Sequence, residues 1–512
     1  MAISWQEIID ILTKYELLVS VERPNVMEFK AIAYDSRKVS ADTLFFVKGN
    51  FKPAFLTSAI ESGAQAFVAD KNYAEGANIA AIIVKDVQKA MSLLSAAFYN
   101  YPQNDLFIVA YTGTKGKTTA AYFTHEILQN STHGKTALFS TIDRILGPNE
   151  QFKSDLSTPE SLDLFHDMRR VVDNGMTHLV MEVSSQAYKK SRVYGLRFNV
   201  GIFLNISPDH IGPLEHPTFE DYLAHKLMLL DNSDQVIINA ESDHFAEIYN
   251  RAQKGHASED IFVYGHKGSQ PVVNVQPDVS FTGHADLTRS QLLVTAQTSK
   301  SKKLGIAGEY NLNVPGDYNE SNAASVLIAV GLAHADHQSM VIGLNEVTVP
   351  GRMESFATKN HGMVYVDYAH NYISVKALLS FLHQQHPVGK VIVVLGSPGN
   401  KGESRRAGFG QAVSEEQADI VWLTADDPQY EDPQAIAAEI AAATDETVVE
   451  LHYEMDRPTA IKKALLMSTD DDVVAIVGKG LDPYQKINGV DTPYRGDMQV
   501  ARDVIAEIEA SV

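Results

Sequence analysis

The chain has 512 residues, with 43 Lys+Arg against 64 Asp+Glu and a formal net charge of −21. Such acidity argues against broad nucleic-acid or anionic-membrane binding, although local basic pockets can still hold phosphates. No apolar run approaches the roughly 20 residues needed to cross a bilayer, and the lack of cysteine excludes disulfide and thiolate chemistry while suiting a reducing compartment.

A cytoplasmic protein of roughly two to four domains is expected at this length, with a monomer as the default. Trp5, Ile8, Ile9, Leu12, Tyr15 and Leu18 recur at helical spacing, broken by Glu7, Asp10 and Glu16. The N-terminus therefore reads as an amphipathic helix and not as a signal peptide. Residues 1–103 alternate strand-like runs (Leu44–Val47, Ala66–Ala69, Ala80–Val84) with a helix over Ala54–Gly63 and a turn at Gly49-Asn50, which predicts a small α/β unit. Within it Asp35-Ser36-Arg37, taken alone, reads as a turn with a local ion pair. The polar, proline-containing Tyr101-Pro102-Gln103-Asn104 marks its end.

The apolar run Leu106–Ala110 leads into Tyr111-Thr112-Gly113-Thr114-Lys115-Gly116-Lys117-Thr118-Thr119, and a helix-like stretch with Ala120, Phe123, Ile127 and Leu128 follows. Strand, Gly-rich turn, Lys-Thr and helix is the arrangement of a P-loop. Its backbone N–H groups cradle phosphate, the lysine reaches the terminal phosphates and the next hydroxyl holds Mg²⁺. Lys117 and Thr118 would take the last two roles, in an NTP site that includes Gly113, Thr114, Gly116 and Thr119. Tyr111 stands where the usual pattern has its first glycine.

Further on, Ser157 or Thr158 reads as a helix cap with Pro159 in the first turn. His178–Ser185 is a buried-looking strand that ends in Glu182, Ser184 and Ser185. A carboxylate among apolar neighbours is costly to ionise unless paired or metal-bound, so Glu182 is a candidate Mg²⁺ ligand. His210 follows the strand Asn199–Asn205 and is a second candidate. Lys226 sits near the apolar side of the helix Tyr222–Leu230, where a snorkelling surface lysine is the plainer reading.

Together, Thr112-Gly113-Thr114-x-Gly116-Lys117-Thr118-Thr119, Thr158-Pro159-Glu160, Glu182-Val183-Ser184-Ser185, Asp209-His210 and Tyr222-x-x-x-Lys226 resemble the Mur ligase family, in the order and spacing of its MurE type. Those enzymes form amide bonds at the expense of ATP in peptidoglycan precursor synthesis. This type adds the third amino acid to UDP-N-acetylmuramoyl-L-Ala-D-Glu. The resemblance runs over essentially the whole chain. It implies that Ser36 belongs to a UDP-binding domain and that Ser157, Thr158, Ser184 and Arg192 contact the UDP-muramoyl-dipeptide. It also implies that Glu182 and His210 hold Mg²⁺ and that Lys226 is carbamylated (N6-carboxylysine). The family commonly has Asn in place of Lys115 and His in place of Gln186, and the stretch Asp209–His216, with Pro213 and Leu214, departs from its Asp-His-x-x-x-His pattern.

Pro315-Gly316-Asp317-Tyr318-Asn319-x-x-Asn322 precedes the helix-like Ala323–Ala333 and resembles a family stretch near the nucleotide, while capping accounts for Asn319 as simply. Arg352, in Val349–Glu354, would reach toward ATP on the same resemblance. The last third has four strand-like runs, Met363–Asp367, Val391–Gly396, Ile420–Thr424 and Val473–Gly478, separated by helices. That is a doubly wound sheet whose ligands bind beyond the carboxyl ends of the strands. There stand Asp367–Asn371; Gly399-Asn400-Lys401-Gly402 with Arg405 and Arg406; Asp426-Asp427-Pro428-Gln429; and Gly478-Lys479-Gly480-Leu481-Asp482.

The family's meso-diaminopimelate enzymes carry Asp-Asn-Pro-Arg where this chain has Asp426-Asp427-Pro428-Gln429, and their Arg grips the extra carboxylate. Asp427, Gln429 and Asp482 reverse that charge, which suits a cationic side chain such as L-lysine. L-ornithine stays open, because one methylene is worth only about 1–3 kcal/mol of discrimination, and meso-diaminopimelate is kept as a further alternative. The resulting expectation is an α/β chain of three domains. Residues 1–103 bind the UDP substrate, 104–340 form a P-loop ATPase domain with a mainly parallel sheet, and 341–512 form a Rossmann-like amino-acid domain. Two rivals remain. A folylpolyglutamate synthetase-like ligase would lack the N-terminal domain, and a non-catalytic nucleotide-binding regulator would not need Glu182, His210 and Lys226.

Overall fold

The computed structural model describes residues 1–23, 28–49, 51–212, 215–269, 275–285, 289–400 and 402–510; Asn50, Pro213, Leu214 and Lys401, named above, lie outside them. The chain forms two compact units. The first comprises Met1–Thr282, Leu293–Glu309 and Ser321–Leu344, and the second Gly283–Leu292, Tyr310–Glu320 and Asn345–Val512.

In the first unit, Ser4 caps a helix over Trp5–Lys14 that buries Trp5, Ile8 and Leu12. Leu18, expected in this helix, instead opens the strand Leu18–Glu22, because Tyr15 and the left-handed Glu16 end the helix first. Five strands follow the order Leu18–Glu22, Ala80–Val84, Ala64–Ala69, Thr43–Phe46, Ala31–Ala33. The first pair is antiparallel and the rest are parallel.

The larger sheet of this unit has the strand Phe107–Thr112 at its centre, flanked by His178–Glu182 and Phe198–Phe203. Thr136–Phe139 lies outside the former, and Ser233–Asn239 and Ile261–His266 outside the latter, all parallel. Both neighbours of the central strand thus deliver their carboxyl ends beside Gly113–Lys117. This is the crevice at which the strand order reverses, where ligands of such sheets bind. One apolar core runs from Ile3 and Trp5 through Leu93 and Phe98 to Phe165, Met181 and Leu229, so it crosses the Tyr101–Asn104 link without a break.

The second unit has a six-stranded sheet. Met363–Asp367, Val473–Val477, Val391–Leu395, Ile420–Leu423 and Glu450–Tyr453 are parallel in that order, with Glu354–Ala357 antiparallel at one edge. Parallel pairing puts the four polar strand ends on one edge of this sheet. No described helix is long and apolar enough to cross a membrane.

Candidate active site

Gly113 and Gly116 have φ of +153° and +81°, and a Cβ on Gly116 would sit 2.4 Å from Asn322 Oδ1. Both glycines are therefore required by the turn. Asn205 clamps this turn from the neighbouring strand end. Its Oδ1 accepts from Lys115 N at 2.9 Å, its Nδ2 donates to Lys115 O at 3.2 Å and its carbonyl accepts from Thr114 N at 3.1 Å. Thr114 Oγ1 lies 3.1 Å from both Ser207 O and Tyr222 Oη. Lys117 and Thr118 then open the helix Lys117–Ser131 with Gly116 as its cap, so the free N–H groups of the first turn face the loop.

Lys117 Nζ donates to Gly113 O at 2.8 Å and Thr114 O at 3.2 Å. Lys226 Nζ, from the helix Phe219–Asp231, donates to the same Gly113 carbonyl at 2.7 Å. Two lysine amino groups thus converge on one oxygen. Lys226 is only 2% exposed, so the snorkelling alternative does not hold. Burial, then the charge of Lys117, pushes its pKa well below the ordinary lysine value. A neutral amine is the form that reacts with CO₂.

Glu182 is fully buried at its strand end. Thr118 Oγ1 donates to Glu182 Oε1 at 2.8 Å, Thr141 N donates to Oε1 at 2.7 Å, and Thr141 Oγ1 lies 3.0 Å from Oε2. Ser157 Oγ is 2.7 Å from Thr141 Oγ1. Thr158 is spent on the same strand end, donating to Glu182 O at 3.0 Å and accepting from Ser184 N at 3.1 Å. It therefore does not cap a helix. The helix begins at Ser161 with Glu160 as its cap residue, which corrects the expected start. Ser184 caps the short helix Ser185–Lys189. Arg192 reaches Glu160 Oε1 through Nε at 3.1 Å and Nη2 at 2.9 Å, and Thr158 O through Nη1 at 3.2 Å. Lys48, two residues past the strand Thr43–Phe46, pairs with the other oxygen of Glu160. Thr118, Glu182, Ser157, Thr158, Ser184 and Arg192 are therefore linked in one hydrogen-bonded network.

His210 has a left-handed backbone (φ +54°) and holds Glu215 Oε1 through Nδ1 at 2.7 Å. Ser36 sits in a short 3₁₀ turn where Asp35 pairs with Arg37 at 2.7 Å, the plain reading of that triplet. His216, Asp221 and His225 also cluster. Lys189 Nζ lies 3.1 Å from Asp221 and pairs with its carboxylate.

In the second unit Asn319 lies inside a helix, and its Nδ2 donates to Pro315 O at 2.8 Å instead of capping. Arg352 stacks its guanidinium 5.2 Å over the Tyr368 ring, and its Nε is buried without a hydrogen-bond partner among the described residues. Asp367 accepts from Met353 N at 2.8 Å and Ala369 N at 2.7 Å. Burial raises its pKa against the pull of Arg352.

The strand-end carboxylates gather around a lysine that the sequence reading passed over. Lys479 Nζ is 2.7 Å from Asp427 Oδ1, and 3.7 Å from Asp426 Oδ1 and Asp482 Oδ2. Its side chain is fully buried. Burial works against its charge, but the three carboxylates outweigh it and raise its pKa. Asp427 Oδ1 also accepts from Lys486 N at 2.9 Å. Gln429 is held at φ +56°, its N–H donating to Lys486 O at 2.9 Å. Gly478 (φ +105°) opens the Lys479 turn at the end of its strand. Arg405 N donates to Gly402 O at 2.9 Å, while Arg406 is buried against Glu431 and Glu439.

The Mur ligase middle domain matches residues 111–330, and the Mur ligase, glutamate ligase domain matches residues 351–480. A UDP-N-acetylmuramyl-tripeptide synthetase of Ligilactobacillus salivarius (strain UCC118) is 55% identical over 99% of this chain and 100% of its own. A UDP-N-acetylmuramoyl-L-alanyl-D-glutamate--L-lysine ligase of Enterococcus faecalis (strain ATCC 700802 / V583) is 48% identical over 93% of this chain and 92% of its own. The solved structure of a UDP-N-acetylmuramoyl-L-alanyl-D-glutamate--2,6-diaminopimelate ligase superposes with a TM-score of 0.66 at 25% identity, covering 99% of this chain and 100% of that one. With the P-loop, the buried Glu182 and the three-carboxylate strand end all in place, the chain belongs to the Mur ligase family and is an ATP-dependent ligase.

Proposed function

We propose that the protein adds L-lysine to the D-Glu γ-carboxylate of UDP-N-acetylmuramoyl-L-Ala-D-Glu, acting in the cytoplasm as a monomer. Residues 1–103 would bind the UDP moiety, with Ser36, and 104–340 the nucleotide and the muramoyl dipeptide, through Ser157, Thr158, Ser184 and Arg192. Residues 341–512 would take the amino acid through Arg405, Asp426, Asp427, Gln429, Gly478 and Asp482. Asn319 and Arg352 would serve the nucleotide. One observation carries the choice of amino acid: three carboxylates surround a single ammonium, Lys479. A strand end so rich in carboxylates suits a cationic side chain and disfavours a second substrate carboxylate.

The γ-carboxylate oxygen would attack the terminal phosphorus of ATP, and the bond to ADP would break to leave an acyl phosphate. The α-amine of lysine would then attack the acyl carbon, phosphate would depart with the bonding electrons, and the amine proton would be lost to solvent. Lys117 and the N–H groups of the P-loop hold the phosphates in line and oppose their growing charge. The buried oxygen donors of Thr118 and Glu182 fit Mg²⁺, His210 would be a further ligand, and the ion when bound would neutralise phosphate charge. Lys226 as a carbamate would become an anion beside Lys117, pairing with its ammonium. Protein equilibrated with ¹³CO₂ should show a carbamate carbon by NMR that Lys226→Met lacks; identical spectra for the two would remove this modification.

Phosphate release tests the reaction. With ATP, Mg²⁺ and the UDP-muramoyl-dipeptide, release is expected on adding L-lysine and not meso-diaminopimelate. A preference for L-ornithine would keep the ligase and shorten the pocket by one methylene, whereas diaminopimelate would overturn the charge argument.

A further inference from the structure

Three lysines stand at or beside the phosphate-binding turn, and the protein satisfies only two of them. Lys117 has two carbonyl acceptors and Lys226 has one. Lys115 Nζ is buried and has no hydrogen-bond partner among the described residues. Its backbone is fixed on both sides, since Asn205 accepts from its N–H at 2.9 Å and donates to its carbonyl at 3.2 Å. An ammonium carries three donors, and burying them unused is costly unless an anion arrives to accept them. Burial lowers the Lys115 pKa to about 8, with the charge of Asp209 acting the other way. The group thus lacks an acceptor among the described residues, in the turn whose glycines and helix N-terminus are shaped for phosphate.

We propose that Lys115 is a second phosphate-binding cation of the nucleotide site, its ammonium contacting the polyphosphate of the bound nucleotide. This rests on the P-loop being the nucleotide site and not on the identity of the amino acid. A bound polyphosphate supplies the acceptors that Lys115 lacks and favours its charged form, so the residue adds binding only when phosphate is present. Asn at this place, the family's usual residue, brings an amide that could bond phosphate without carrying a charge.

The test is nucleotide binding by the full-length chain, titrated with Mg-ADP and a slowly hydrolysed Mg-ATP analogue, using Lys115→Asn, Lys115→Met and Lys115→Arg. Losing one charge-assisted contact should weaken affinity by about ten- to a hundredfold in the Asn and Met variants. Arg should recover most of that loss, and the salt dependence of binding should flatten in Asn and Met. In turnover, KM for ATP should rise while KM for the muramoyl substrate and the amino acid stays unchanged. Unaltered nucleotide affinity in both Asn and Met variants would overturn the proposal. So would a rise confined to KM for the muramoyl substrate, which would assign Lys115 to the acceptor carboxylate. A wild-type chain that binds nucleotide but releases no phosphate with any amino acid would sink the ligase reading alone, and the binding series would still decide for or against Lys115.

Discussion

Lys117→Ala should abolish amino-acid-dependent phosphate release, a loss of about a thousandfold or more, as removal of a charged group from a phosphoryl-transfer site typically costs. Lys117 Nζ now rests on the carbonyls of Gly113 and Thr114, so it is already poised at the turn and needs no large rearrangement to meet phosphate. Lys226 shares the Gly113 carbonyl but cannot replace it, because burial depresses its pKa. The hydrogen bonds to Gly113 and Thr114 lie within the loop, so far-UV circular dichroism and the unfolding temperature should stay close to wild type. A variant that turns over normally would dismiss the P-loop as the catalytic phosphate site. One that unfolds would be re-examined as Lys117→Arg, where the charge remains and nucleotide binding should survive.

A second large effect is expected from a buried ion pair behind the Lys479 turn. Arg457 and Asp497 are both fully buried, with Nε to Oδ1 at 2.7 Å and Nη2 to Oδ2 at 2.8 Å. Arg457 Nη2 also donates to Val477 O at 2.9 Å, at the end of the strand that leads into Gly478 and Lys479. Burial opposes the guanidinium charge but Asp497 outweighs it, so the pKa is raised above the ordinary arginine value. Arg457→Met leaves Asp497 buried with the Tyr494 hydroxyl at 2.7 Å, and stranding one partner of a buried pair costs about 3–5 kcal/mol. For a unit of this size that corresponds to a fall of roughly 10 °C in unfolding temperature, measurable by calorimetry on the full chain. Removing both charges, as Arg457→Met with Asp497→Leu, should restore much of the loss. A single variant that melts with wild type would show that the pair carries no such weight.

How far the sequence could be read depended on whether the chemistry was local. The P-loop was legible because strand, turn and helix follow one another within a few residues, and their backbone geometry comes from two glycines. Glu182 was legible because a carboxylate inside an apolar run must have a partner. Thr141 was not, since its bonds to Glu182 span 41 residues and no pattern marks it. Asn205 was quoted only as a strand end, though it holds the loop 90 residues away. The acidic loop was read as open to substrate, whereas Lys479, 52 residues on, already occupies Asp427. The start of the helix at Ser161 was misjudged for a related reason: Thr158, a good local cap, is claimed by a more distant strand.

The unbroken apolar core through Tyr101–Asn104 bears on how the molecule can be made and taken apart. Leu93, Phe98 and Tyr99 are covered by side chains such as Leu162, Phe165 and Met168, which are synthesised only later. The first hundred residues therefore leave the ribosome with an oily flank awaiting its cover. Cleavage at the link would uncover both halves at once, so the stretch that looks most like a hinge in the sequence is a poor place to cut.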